Sequence, residues 1–475
     1  MAAAREPEVT TVARVTVQDS TIKASDDISL NLDEIIIITR SPEHEASEYN
    51  YVICGLKEDE ENQNEPFRLL VVRAKEVPQE LLDTHLLREL PESLHPGNVF
   101  DVLVSTKSGT GRALEFWRRV LQPLLHLAGE KPVEPRSLLI TESDESVSDF
   151  AKSLKAQQPN VSTTVVLLSG DGGAVDMLNS CPELPGGSLA PTMALIPLGT
   201  GNALFNSLHK PLQITPGPSA LVTGLRTLFR GVSAPLPVFK ASFSPGSQVV
   251  AFKGKNDGGS SDAKGEEAAD ISRQETAVSH LYGAIVASYG FHASIVYESD
   301  TPEYRVHGSK RFGMVAAELL RESHPYAAQV EICRSSSSEY EAIPRETHGY
   351  VLSSMVSNLE RTFTISPASK PLDGKLRIVH FGPVGRERCM EAMMKAYDGG
   401  KHVDLKWDDG QEVGYEEIAG LKVHVQEENE RWRKVCIDGT IVDIPQGGTM
   451  TVTPQEKGRL QVLVDPRIAA AAKSS

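Results

Sequence analysis

The chain lacks any long apolar run. No stretch approaches the roughly 18 residues that cross a bilayer as a helix, so membrane contact is expected to be peripheral. It is also poor in cysteine. Cys54, Cys181, Cys333, Cys389 and Cys436 are scattered, odd in number and never in a C-x-x-C pair. That argues against a metal cluster or a disulfide framework and for a reducing, cytoplasmic setting. Met1 to Glu8 carry Arg5, Glu6 and Glu8 without an apolar core, so no signal peptide is expected. Long Lys/Arg runs are missing too, and the formal net charge is -16. Nucleic acid is therefore not an expected partner. The 13 histidines show no ligand spacing, and neither H-E-x-x-H nor G-x-S-x-G occurs, which leaves zinc and hydrolase chemistry unsupported. Two nucleotide signatures are absent as well, the G-K-[ST] phosphate loop and the G-x-G-x-x-G dinucleotide fingerprint.

What is present is a soluble globular composition, 40% apolar and 24% charged, over 475 residues. That length predicts two or three domains. Residues 1–97 read as a β-rich region, with strands at Val9–Val17, Glu34–Thr39, Tyr51–Gly55 and Phe67–Val72. Its place is open between extra strands on the C-terminal region and a membrane-targeting module of pleckstrin type.

From 98 to 235 strands and helices alternate. Strands are expected at 99–105, 137–141, 164–168 and 192–196, and helices at about 112–127 and 146–157. Such alternation predicts an α/β nucleotide-binding domain, a parallel sheet with helices on both faces. Residues 236–460 carry apolar runs separated by turn signals and read as an antiparallel β domain, with helices near 311–322 and 386–396. The Gly-, Ser- and charge-rich stretch 254–274 is expected to be a disordered insertion.

Three loops fall at the carboxyl ends of the predicted parallel strands, where open α/β sheets bind ligands. They are 105–111, the run Ser169-Gly170-Asp171-Gly172-Gly173, and the run Gly199-Thr200-Gly201-Asn202 after Pro197-Leu198. Glycines between a strand and a helix start bring backbone N–H groups close to a phosphate. Asp171 then reads as a general base or as a helix N-cap. Asp176, one turn on, could orient Mg²⁺ or only complement a helix dipole. Ser108, Gly109, Thr110, Gly111 and Arg112 could hold a nucleotide phosphate or form a plain turn. Arg305, Lys310 and Arg311 could meet phosphate charge or form a solvated basic turn.

These residues, in this order, resemble the diacylglycerol kinase catalytic family, closest to its sphingosine and ceramide kinase branch. The resemblance spans about residues 98–460. The G-G-D-G signature matches Ser169-Gly170-Asp171-Gly172, and P-x-G-[TS]-G-N matches Pro197 to Asn202 in full. The nucleotide loop N-P-x-[SG]-G-x-G-x-A matches at Ser108-Gly109, Gly111 and Ala113. The stretch from Gly290-Phe291 through Glu298-Ser299, Tyr304-Arg305 and Gly308 to Arg311-Phe312 looks like the long sphingosine kinase pattern. Ile437-Asp438-Gly439 looks like the family's D-G-E turn.

The resemblance implies an ATP- and Mg²⁺-dependent lipid kinase, with an α/β nucleotide-binding domain followed by a β-sandwich that binds the lipid. It implies Asp171 as the base toward the lipid hydroxyl. Ser108, Gly109, Thr110, Gly111, Arg112, Thr141, Ser169, Gly170, Gly172, Gly199, Thr200, Gly201, Asn202, Arg305, Arg311 and Asp438 would serve ATP, and Asp438 would also place Mg²⁺. Asp176, Ser294 and Val296 would lie by the substrate. The chain departs from the pattern at four places. Asn-Pro of the nucleotide loop is Ser105-Thr106, the D-G-E glutamate is Thr440, and the histidine expected after Thr141 is missing, with Ser146 near its place. The two aspartates that face a sphingoid head group are Ser294 and Val296. A sphingoid base is the expected acceptor, at a peripheral membrane surface. Diacylglycerol, ceramide, a soluble kinase of the NAD kinase or phosphofructokinase type and a non-catalytic binding role are the alternatives.

Overall fold

The computed structural model describes residues 8–23, 29–41, 48–59, 61–154, 161–183, 189–254, 271–308, 310–335, 337 and 339–474. Six strands form the sheet that carries the three loops. Their order is Val232–Pro235, Gln461–Val464, Thr192–Pro197, Thr163–Ser169, Val99–Val104, Ser137–Ile140. Neighbours are parallel except the first pair, which is antiparallel. The central strand Thr163–Ser169 is buried at every position, as a strand covered on both faces must be. Side chains alternate between the faces. Val102, Val104, Val166 and Leu168 pack with Phe116, Val120, Leu124 and Phe229 from the helices on one side. Leu103, Val165 and Leu167 pack with Ala151, Met177 and Leu178 from those on the other.

The helix expected at about 112–127 follows one path but changes winding. It runs Ala113–Phe116, then a π turn at Trp117–Leu121, then Gln122–Ala128. Pro123 has no N–H to return to the preceding turn, which accounts for the loosened winding before it.

The N-terminal strands form their own sheet, in the order Glu8–Arg14, Phe67–Glu76, Tyr51–Glu58, Ile35–Arg40. The run expected as Val9–Val17 breaks at Val15, and Thr16–Gln18 starts a separate three-stranded sheet. Ile36, Ile37, Val52 and Leu69 share a core with Phe116 and Trp117. Arg226 donates to the Ile35 carbonyl at 2.8 Å and the Leu32 carbonyl at 2.9 Å. This sheet backs the helices of the parallel sheet, and its strands pair with none of the described strands of the antiparallel region.

The C-terminal region is a single antiparallel sheet of 14 strands. Val286–Gly290 lies between Lys434–Ile437 and Tyr350–Ser354, and the order continues through Leu376–Phe381, Gly414–Val425, Thr449–Gln455 and Val238–Phe243. The two ends of the order, Ile271–Ala277 and His280–Gly283, are consecutive in the chain, so the sheet must curl around. Both ends of the stretch expected as an insertion, Gly254 and residues 271–274, lie in strands. Gln248–Gly254 and Ile271–Ala277 pair as an antiparallel hairpin, and the remainder lies outside the described residues. The stretch read as a basic turn is helical, with Phe291–Ser299, Pro302–Arg305 and Lys310–Glu322. Among the described residues no helix is long and apolar enough to cross a membrane.

Candidate active site

The three loops meet backbone to backbone. A Cβ on Gly199 would stand 2.3 Å from the Gly170 Cα, and one on Gly109 would stand 2.4 Å from the Leu198 carbonyl oxygen. No side chain fits at either contact, and Gly109 also has a φ of +54°. Glycine at these positions is therefore a packing requirement of the loop junction. Gly172 differs, because a Cβ there would meet nothing within 4 Å. Its backbone faces open space beside Asp171.

Asp171 is the first residue of the helix Asp171–Ser180, and Gly170 is the residue that caps it. The Asp171 carboxylate does not serve its own helix. Its Oδ2 accepts the Ala203 N–H at 2.8 Å and its Oδ1 accepts the Leu204 N–H at 3.0 Å. Those are orphan donors at the start of the helix Ala203–His209. Burial pushes the Asp171 carboxyl above the ordinary carboxylate range, and the two N–H donors oppose that shift.

Asn202 builds the third loop. It sits in the left-handed region at φ +51°, accepts the Gly199 N–H at 3.0 Å and donates to the Gly199 carbonyl at 2.9 Å. Thr200 is exposed. Gly201 lies against the Leu359 carbonyl of the antiparallel region, where a Cβ would come within 3.2 Å. Two side chains fasten the regions together. Ser207 Oγ donates to the Asn358 carbonyl at 3.0 Å and accepts the Asn358 N–H at 2.9 Å. Asn179 accepts the Tyr282 N–H at 2.8 Å and donates to its carbonyl at 2.9 Å. The loops thus sit at the joint between the two sheets.

In the first loop, Ser108 Oγ donates to Ser105 Oγ at 2.7 Å and lies 3.4 Å from Ser169 Oγ. Thr110 and Gly111 are exposed and Arg112 is half-buried. Thr141 is bonded to Thr106.

Asp438, from the antiparallel region, joins Asp171 electrostatically. Its carboxylate accepts the N–H groups of Ala284 at 2.6 Å, Ile285 at 3.0 Å and Val286 at 2.7 Å. Burial raises its pKa to about 7, the three donors oppose the rise, and the charge of Asp171 adds to it. Three donors leave little of a carboxylate's acceptor capacity free. Among the described residues no group of three or more His, Cys, Asp or Glu could hold a metal. Asp438 keeps room for one further acceptor contact, so a magnesium ion here would need most of its ligands from nucleotide phosphates and water.

Asp176 faces Asp144, a residue that the pattern did not single out. Burial first, and the Asp144 charge second, raise Asp176 to about 6. Ser294 and Val296 are parted by the helix that carries them. Ser294 is buried and bonds Tyr326, whereas Val296 packs in a small cluster with Val250, Cys436 and Ile441. Arg305 donates to both oxygens of Asp300 at 3.1 and 2.8 Å, and Arg311 approaches the same carboxylate at 3.8 Å. Asp300 thus brings the two arginines together at the end of the Phe291–Ser299 helix.

Residues 100–233 match the diacylglycerol kinase catalytic domain. The matched segment holds Asp171 and all three glycine loops. Two solved structures from Bacillus anthracis str. Sterne are similar to this chain. A proposed diacylglycerol kinase is 14% identical, with a TM-score of 0.47, covering 79% of this chain and 99% of that one. A diacylglycerol kinase is 13% identical, with a TM-score of 0.46 and the same coverage. No curated protein matches the chain.

Proposed function

We propose that this chain is an ATP-dependent lipid kinase. The observation that carries the reading is Asp171, fixed by two backbone donors at the joint of three glycine loops inside the segment that matches the catalytic domain. The loops' backbone N–H groups would receive the ATP phosphates. Asp171 would take the proton of the lipid hydroxyl as it attacks the γ-phosphate. Its upward-shifted carboxyl makes it a stronger proton acceptor than an ordinary carboxylate. Asp438 would help place Mg²⁺ carried by the ATP phosphates, and the ion would supply charge neutralisation there when bound.

The acceptor we propose first is a sphingoid base, on the pattern from Gly290 to Phe312. A second reading, diacylglycerol or ceramide, is favoured by one observation. Neither Ser294 nor Val296 supplies a carboxylate to an ammonium group, and Asp300 is committed to Arg305. The lipid would be met at a membrane surface, and the curled sheet with its helices would receive it. Incubating the protein with Mg²⁺, labelled ATP and a panel of sphingoid bases, ceramides and diacylglycerols tests this. Transfer of label to a lipid supports the reading, and the accepting class decides between the two substrates.

A further inference from the structure

Thr106 and Thr141 leave the carboxyl ends of two neighbouring parallel strands, Val99–Val104 and Ser137–Ile140. They close on each other through three contacts. The Thr106 N–H donates to Thr141 Oγ1 at 3.0 Å. Thr106 Oγ1 donates to the Thr141 carbonyl at 2.9 Å. The two hydroxyl oxygens lie 3.3 Å apart. Both residues are half-buried.

The donors can be followed one by one. The Thr106 N–H and O–H are both spent on Thr141. The Thr141 hydroxyl proton then has the Thr106 oxygen within reach. With its proton turned to Thr106, Thr141 keeps an acceptor position for a ligand. A proline at 106, as in the family's nucleotide loop, would have no N–H to give, so this clasp is a property of this chain. On its other side the same loop meets the second and third loops, through Ser108 near Ser169 and through Gly109 against Leu198.

We propose that Thr106 is a positioning residue for the nucleotide. It holds Thr141 as a hydrogen-bond acceptor toward the ligand and fixes loop 105–111 against the edge strand. The inference rests on the kinase reading of this site. Its effect falls on nucleotide affinity, because Asp171 belongs to another loop and the reacting hydroxyl to the lipid.

The test is calorimetric titration of the full chain with MgADP. Wild type, Thr106→Val, Thr106→Ser, Thr141→Val and the Thr106→Val/Thr141→Val double variant are compared. Thr106→Val keeps the branched shape and the N–H but loses the hydroxyl. One lost hydrogen bond predicts an affinity roughly two- to tenfold weaker. Thr106→Ser should stay within about twofold of wild type, because its hydroxyl keeps the contact. With Thr141→Val in place, Thr106→Val should cost less but still something, because the bond to the Thr141 carbonyl remains while the contact between the two hydroxyls is gone. In turnover, KM for ATP should rise by a larger factor than kcat falls. Equal affinity of Thr106→Val and wild type overturns the inference while leaving the kinase reading intact. So does a loss of the same size in the Thr141→Val background. A wild type that binds no nucleotide overturns both.

Discussion

The Asp171 carboxylate receives the Ala203 backbone N–H at 2.8 Å, so the candidate base and the start of the helix after the third loop are one hydrogen-bonded unit. Leu204 supplies the second donor at 3.0 Å. An amide cannot accept both. Asp171→Asn should therefore lower stability by about 1–3 kcal/mol through one poorly matched N–H. It should lower phosphoryl transfer by about a hundredfold or more through loss of the base. A thermal melt and a labelled-phosphate assay read the two effects separately.

Gly199 and Gly172 should behave oppositely. Gly199→Ala drives a Cβ into the Gly170 backbone at 2.3 Å, and neither loop can yield without moving the other. We expect a loss of about 1–3 kcal/mol together with loss of nucleotide binding. Gly172→Ala meets nothing within 4 Å and lies in a helix, so its melting temperature should hold or rise slightly. Any fall in its activity would then report space needed by the ligand. Melting curves with and without MgADP check the contrast.

Asp438 gives a pH dependence of definite sign. Its carboxyl is raised from 3.8 to about 7 in the folded chain. Between those values the folded state holds a proton that the unfolded chain releases, so this group's stabilisation is lost as pH rises through that window. A fully expressed shift of that size amounts to about 4 kcal/mol. Asp438→Asn should therefore gain stability relative to wild type as pH is raised from 4 to 7, as measured by denaturant melts across that range.

Asp171 also sets a pH dependence of activity. It must be ionised to accept a proton, and burial raises its carboxyl above the ordinary range. The kcat/KM profile should therefore fall on its acidic side at a higher pH than an ordinary carboxylate would give. A profile that stays flat down to the ordinary carboxylate range would contradict Asp171 as the base.

The parallel sheet was legible because its strands are short apolar runs, two of which lead straight into glycine loops, and burial on both faces leaves that composition little freedom. Gln461–Val464 was not legible. It is four residues long, and it enters the sheet beside Thr192–Pro197 only because the chain returns after the whole antiparallel region. The glycines of the three loops could be read as phosphate binders, but their contact with one another is a tertiary fact. Arg305, Lys310 and Arg311 could be read as a basic turn from their charges alone, yet Arg305 closes the short helix Pro302–Arg305, and Lys310 and Arg311 open the helix Lys310–Glu322. Ser294 and Val296, two residues apart on a helix, face nearly opposite ways, so a shared substrate role was legible only as a pattern. Asp144 and the Thr106 clasp carried no motif and emerged from packing alone.

The central claim is that Asp171 and the glycine loops move phosphate from ATP to a lipid hydroxyl. Phosphate transfer from labelled ATP, with Mg²⁺ and lipids presented in mixed micelles, tests it directly. The account predicts a labelled lipid phosphate with wild type and none above background with Asp171→Asn. Failure to label any sphingoid base, ceramide or diacylglycerol, or labelling of NAD in their place, would contradict it.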